Sequence, residues 1–278
     1  MRPRSPLDRA GCLALRALLA IFIAATLTFL LLPITVVVPM SFSDQLYLTF
    51  PPTGWALRWY SHVWEQARWL RAAWNSIVIG VPVALLSIAF GTAAALAAAR
   101  SGIRWMSGVS VLVLAPMMLP HIIIAIGLYP TMLDLGLANT YAAVIIGHTV
   151  VATPLVFISV TASLKNYDQS LELAAMTLGA NWWRSFARIT FPMIRVGIAV
   201  GGILAFATSF DELMLSLFLT SPRTETLPRL IWDHLAYTVT PEIAAVGSLV
   251  LALSLLLLVI AASLRGSGAA QMLRADPR

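Results

Sequence analysis

The sequence predicts an all-α membrane protein with about six transmembrane helices. Three observations predict it. Of the 278 residues, 59% are hydrophobic and only 11% charged, whereas soluble domains carry about 25% charged residues. The apolar residues lie in blocks of roughly 18 or more, long enough to cross the ~30 Å hydrocarbon layer as helices. The basic residues cluster between those blocks, alternately dense and sparse.

The first block runs from about Leu13 to Met40, behind Arg2, Arg4, Arg9 and Arg16. It is too long for the 7–15-residue core of a signal peptide, and no small-x-small cleavage site follows it. It reads as a retained first span after a short tail, residues 1–12. The next five spans are read at Ser76–Ala99, Trp105–Tyr129, Tyr141–Leu164, Met193–Leu219 and Ile243–Leu264, with a tail over 266–278 and one membrane domain over 13–265. Pro33, Pro82, Pro116, Pro120 and Pro154 fall in or near these spans, where neighbouring helices can satisfy the freed carbonyls. Gly91, Ala93, Ala94, Ala95, Ala97, Gly201 and Gly202 allow helices to approach closely.

With both termini inside, thirteen of the eighteen Lys and Arg fall on the inner side and five outside, so the positive-inside rule places both termini in the cytoplasm. The net charge of +6 is thereby read as a topology signal, and no nucleic-acid partner is expected. The single cysteine, Cys12, cannot form an intrachain disulfide, and no Cys/His spacing suits a metal.

The outer loop from about Ser41 to Asn75 holds Trp55, Trp59, Tyr60, Trp64, Trp69 and Trp74 beside Arg58, Arg68 and Arg71. Aromatic rings with long cations prefer the membrane–water interface, so a short helix flat on the outer face is expected. These side chains read as an aromatic belt or as substrate contacts. Asn75 and Ser76 are expected to cap the second span. Asp44, Glu65, Asp134, Glu225, Asp233 and Glu242 are expected to be solvated on the outer side.

The inner loop, about 165–195, carries the sharpest local signal. Asp168 can cap a short helix by accepting from a free first-turn amide. Leu171, Ala174, Ala175 and Leu178 share one face at i, i+3, i+4, i+7 spacing, and Gly179 suits a left-handed C-terminal cap. A small apolar face outside the bilayer needs a partner, such as a groove on another subunit.

In this loop the run Leu173-Ala174-Ala175, Gly179, Ile189, Phe191 and Pro192 resembles the E-A-A-x3-G-x9-I-x-L-P motif of ABC importer permeases. The Gly-to-Ile and Gly-to-Pro spacings match. Leu173 stands where the family has Glu, and Phe191 where Leu is usual; Glu172 lies one residue before the motif position. The departure at Leu173 makes the expected coupling contact more apolar than ionic. Ser209-Phe210-Asp211-Glu212, Thr226-Leu227-Pro228, Pro241-Glu242-Ile243-Ala244-Ala245, and His148-Thr149 with Pro154 are similar to the spermidine/putrescine branch.

The resemblance implies the type I importer permease fold and a subunit forming half of a translocation pore in the bacterial inner membrane. It implies a second permease, two copies of a cytoplasmic ATPase and a periplasmic solute-binding protein as partners, with membrane lipid around the spans. ATPase coupling would rest on Glu172, Leu173, Ala174, Ala175, Leu178, Gly179 and Pro192. ATP would be used by the partner, and no cofactor is expected on this chain, which has no G-x4-G-K-[ST] phosphate loop. The chain is therefore expected not to be an enzyme.

Asp211 and Glu212 are the candidate substrate-path residues, because a carboxylate at a membrane helix centre costs about +2.5 kcal/mol or more and should face a wet cavity or a partner. Neighbouring residues point about 100° apart on a helix. Asp211 is expected to line the path and Glu212 to pack toward another helix; interhelical or capping contacts for both are the alternative. His121 and His148 read as interhelical hydrogen-bond partners. Polyamines fit the acidic pair, with an opine, amino acid, iron or sulfate as alternatives. An ion-coupled transporter would show carboxylates in several spans and an inverted repeat, and an intramembrane enzyme would need a nucleophile–base or metal set.

Overall fold

The computed structural model describes residues 6–100, 106–165, 168, 170–237 and 239–274. The rest of the expected tails, and Trp105 at the expected start of the third span, lie outside the described residues. Every regular element among the described residues is helical. Among the described residues, five helices are long and apolar enough to cross a membrane, and a sixth span arises if one bent pair counts as one. The chain divides into two compact units.

The first unit comprises residues 1–65 and 238–249. Helix α1 (Pro6–Met40) is continuous through Pro33 and Pro39, and Phe22, Phe29 and Leu30 on it are exposed. After it, Ser43 pairs with Trp55 in an isolated antiparallel bridge. The loop is held to α2 (Arg58–Glu65) by the Ser41 and Tyr60 hydroxyls, 2.7 Å apart, and by Arg58 Nη1 donating to the Asp44 carbonyl at 3.0 Å. A short helix is thus present in this loop, as expected. Glu242, at the start of α12 (Pro241–Arg274), lies 3.1 Å from His62 Nδ1 and is buried rather than solvated.

The second unit comprises residues 66–237 and 250–278. Its centre is α3 (Ala67–Arg100), α6 (Tyr141–Leu164) and α9 (Phe191–Phe210), which pack on one another. Ile79, Val83, Val144, Val156, Val160, Ile194 and Ala205 form the core. Close approach sets the small-residue pattern: a Cβ on Gly91 would lie 2.8 Å from Val156 Cβ and 3.0 Å from the Thr153 carbonyl oxygen.

Three expected spans are corrected. The second begins nine residues early, at Ala67, so Asn75 and Ser76 lie inside the helix instead of capping it. The third is not one helix: α4 (Met106–Leu114) runs into a 3-10 turn (Ala115–Met118), and the pair with α5 (His121–Asp134) is bent by 104°. Two prolines break it. Pro116 sits at the second position of the 3-10 turn, and Pro120 forces Leu119 out of the helical region, to φ −95°, ψ 138°. The fifth span stops at Phe210 and restarts as α10 (Met214–Leu219). The fourth span matches α6 residue for residue.

Candidate functional site

Two places in the second unit hold the residues singled out from the sequence. The first is the loop helix α7 (Ser170–Thr177). Asp168 accepts from the Ser170 amide at 2.9 Å, which holds the Asp168 carboxyl below its ordinary range. The far end closes on Gly179 at φ +89°. Ala180 N–H donates to the Ala175 carbonyl and Gly179 N–H to the Met176 carbonyl, both at 3.0 Å. This pair of bonds is the Schellman cap that a left-handed glycine permits. No α7 residue is buried, and Leu173 and Leu178 are 64% and 89% exposed. Among the described residues, nothing fully buries an apolar side chain of α7.

Glu172 behaves differently. Its carboxylate pairs with Arg100, at the end of α3, and accepts from the Thr190 hydroxyl. Arg100 Nη2 also donates to Thr190 Oγ1 at 3.2 Å. Thr190 closes a π-helical turn (Phe186–Thr190) that follows α8 (Trp182–Ser185) and leads into α9. Pro192 sits in the first turn of α9, where a missing N–H costs little. Glu172 thus faces inward while Leu173, Ala174 and Leu178 are exposed.

The second place is the break after Phe210. Asp211 and Glu212 have opposite surroundings, although the helix has ended before them and the 100° helical offset does not apply. Asp211 is exposed, with Ser254 Oγ 3.4 Å away. Glu212 is 5% exposed. Its Oε1 accepts from Leu215 N–H at 3.1 Å, capping α10, and its Oε2 lies 2.7 Å from His121 Nδ1. A side chain that satisfies a first-turn amide favours restarting a helix over continuing the old one. His148 spans the break from α6, with Nδ1 2.9 Å from Ser209 Oγ and Nε2 3.3 Å from Ser216 Oγ. Ser216 donates its proton to the Glu212 carbonyl at 2.7 Å, so His148 donates from Nε2 and its Nδ1 meets the Ser209 hydroxyl. Both histidines are interhelical partners, as read from the sequence.

Sequence reasoning missed the partners. Nothing in the spacing joined Arg100 to Glu172; the one signal was a cation at the very end of a long apolar run. Glu225 was expected to be solvated, yet it is buried. Arg68 Nε and Nη2 donate to its two oxygens at 3.0 and 2.9 Å. Asn75 Nδ2 donates to the carbonyls of Arg223 and Glu225 at 3.1 and 2.9 Å, and Ser76 Oγ accepts from Leu227 N–H at 2.9 Å. Residues expected to cap a helix thus pin the loop before α11 (Leu227–Tyr237) onto α3. Among the described residues, no group of three or more His, Cys, Asp or Glu could hold a metal ion.

Residues 87–270 match the family described as "Binding-protein-dependent transport system inner membrane component". The chain is 32% identical over 231 residues to the putrescine transport system permease protein PotI of Escherichia coli K12, covering 81% of this chain and 82% of that one. It is 30% identical over 238 residues to the spermidine/putrescine transport system permease protein PotC of the same organism, covering 86% and 90%. It is 26% identical over 219 residues to the sulfoquinovosyl glycerol transport system permease protein SmoH of Agrobacterium fabrum C58, covering 74% and 75%. Among solved structures, its fold is similar to a bacterial ABC transporter involved in the import of alginate, with TM-score 0.69 at 17% identity over 95% of this chain and 99% of that chain. The chain belongs to the binding-protein-dependent transport system inner membrane components, the permease subunits of ABC importers.

Proposed function

We propose that this permease subunit imports polyamines, putrescine or spermidine, across the bacterial inner membrane. It forms half of a pore with a second permease and works with two ATP-binding subunits and a periplasmic solute-binding protein. Both termini are cytoplasmic, which puts α7 on the side where ATP is available. The chain itself catalyses nothing and holds no cofactor; the partner ATPase binds and hydrolyses ATP.

The observation that carries the ATP-coupled reading is the capped, uncovered helix α7. An apolar helix surface of this kind is what a groove on another subunit takes up. Leu173, Ala174, Ala175 and Leu178 supply the docking surface, and Gly179 and Pro192 shape the return into α9. Closure of the ATPase pair on ATP pushes α7, and the spans respond by alternating access. Leu173 at the motif glutamate makes this contact apolar. In the spans, exposed Asp211 is the residue assigned to attract a polycation, and Glu212 holds the broken helix beside it.

The polyamine assignment is supported by the 30–32% identity to putrescine and spermidine/putrescine permeases. The 26% identical sulfoquinovosyl glycerol permease favours import of another small solute as the second reading. Labelled putrescine and spermidine uptake by the assembled importer, for wild type and Asp211→Asn, separates them. Uptake in wild type that falls in the variant is expected. No wild-type uptake removes the polyamine assignment, and unchanged uptake in Asp211→Asn removes Asp211 from the path.

A further inference from the structure

We infer that Arg100, Glu172 and Thr190 form a clamp that couples the docking helix to the membrane bundle, so that Glu172 is a positioning residue and not a docking contact. The inference rests on the ATP-coupled reading of α7 given above. Helix α7 has eight residues, none of them buried, and it ends on a left-handed glycine. Such a helix, pushed from outside, would yield locally before it moved anything else. Among the described residues, Glu172 is the α7 side chain with an ion pair to another element. It is bound on two sides, by Arg100 at the end of α3 and by Thr190 at the entry to α9.

Those two helices pack with α6 to form the core of the unit. A displacement of α7 is therefore carried through Glu172 directly to two of the three central helices. The clamp is shielded: the Arg100 and Glu172 side chains are 23% and 12% exposed, and Thr190 is fully buried. Shielding of this degree limits screening by salt. The third bond, Arg100 to Thr190 at 3.2 Å, closes the triangle, so the guanidinium cannot swing away without breaking two contacts. The docking surface and the clamp divide one short helix between them, with the exposed apolar residues facing out and the one carboxylate facing in.

The test uses the complete importer in proteoliposomes. Labelled putrescine taken up per ATP hydrolysed is measured for wild type, Glu172→Gln, Arg100→Gln and the swap Arg100→Glu/Glu172→Arg. Each single variant is expected to lower the ratio about five-fold or more, the lower end of usual coupling between sites, and the swap to recover part of it. An unchanged ratio in both single variants, or a swap no better than its parents, overturns the clamp. Loss of ATPase co-purification in Glu172→Gln but not in Arg100→Gln also overturns it, because Glu172 would then be a docking contact. If the neutral variants do not assemble, Arg100→Lys keeps the charge without the forked geometry, and its ratio must still fall. Spin labels at Thr177→Cys and Leu85→Cys, with Cys12→Ser, read the α7–α3 distance without any substrate. A broader distance distribution in Glu172→Gln than in wild type is expected, and identical distributions overturn the clamp. Absence of wild-type putrescine uptake or of ATPase binding counts against the substrate or ATP reading, and the distance measurement still decides the clamp.

Discussion

Removing the Glu212 carboxylate should open the break between α9 and α10, and the size of the effect can be worked from its contacts. Glu212→Ala leaves the Leu215 N–H buried without its acceptor, a loss of about 1–3 kcal/mol. It also removes the bond to His121, whose side chain is 38% exposed and can turn to water. Interhelical hydrogen bonds in membrane proteins average about 0.6 kcal/mol, so the total is about 1.6–3.6 kcal/mol. Glu212→Gln keeps an oxygen for Leu215 N–H, and its amide can donate to His121 Nδ1 in the neutral ring. Its cost should be about 1 kcal/mol or less. Reversible unfolding in mixed SDS micelles reads both values on one scale. Equal and small losses for Ala and Gln would show that Glu212 does not hold the break, and equal large losses would show that its charge, not its cap, matters.

Other perturbations follow from the same geometry. Leu178→Glu, on an 89% exposed side chain, should abolish co-purification of the ATPase while leaving the unfolding midpoint of the isolated chain unchanged. Gly179→Val, at φ +89°, should cost about 1–2 kcal/mol and raise amide exchange along α7 specifically. Arg68→Ala should lower stability by about 1 kcal/mol, since Arg68 is 57% exposed and the pair is partly screened, and the loss should shrink at high salt. The Asp168 carboxyl is held below 3.8 in the folded chain. Its cap is therefore fully present at neutral pH and is lost only as pH falls through that lowered value. Asp168→Asn should keep the bond to Ser170 and remove this acid-side fraying of α7, read by hydrogen exchange.

Apolar block length made the class and the rough position of the spans legible, because crossing a bilayer imposes one length on every helix. Residue type also made α7 legible: Asp168 and Gly179 each have a local reason to begin or end a helix. The breaks were half legible. Pro116 and Pro120 were visible, but a proline in a membrane helix is compatible with a continuous span, so the sequence could not separate a kink from a 104° bend. Asp211 and Glu212 marked the second break only as a charge problem. That Glu212 solves it by capping α10 depends on where His121 and Leu215 lie. The Arg68–Glu225 and Arg100–Glu172 pairs join residues 157 and 72 positions apart, and no local pattern encodes such a distance. Charge alone suggested solvation for Glu225 and Glu242, whereas folding buried both carboxylates against partners on other elements, Arg68 and His62.

ATP-dependent uptake of labelled putrescine by proteoliposomes tests the central claim most directly. The vesicles contain this chain, its partner permease and the ATPase, with the solute-binding protein added outside. The account predicts uptake that requires ATP within the vesicles and is lost in Leu178→Glu. Uptake driven by an ion gradient without ATP, or ATP-driven uptake undiminished in Leu178→Glu, would contradict it.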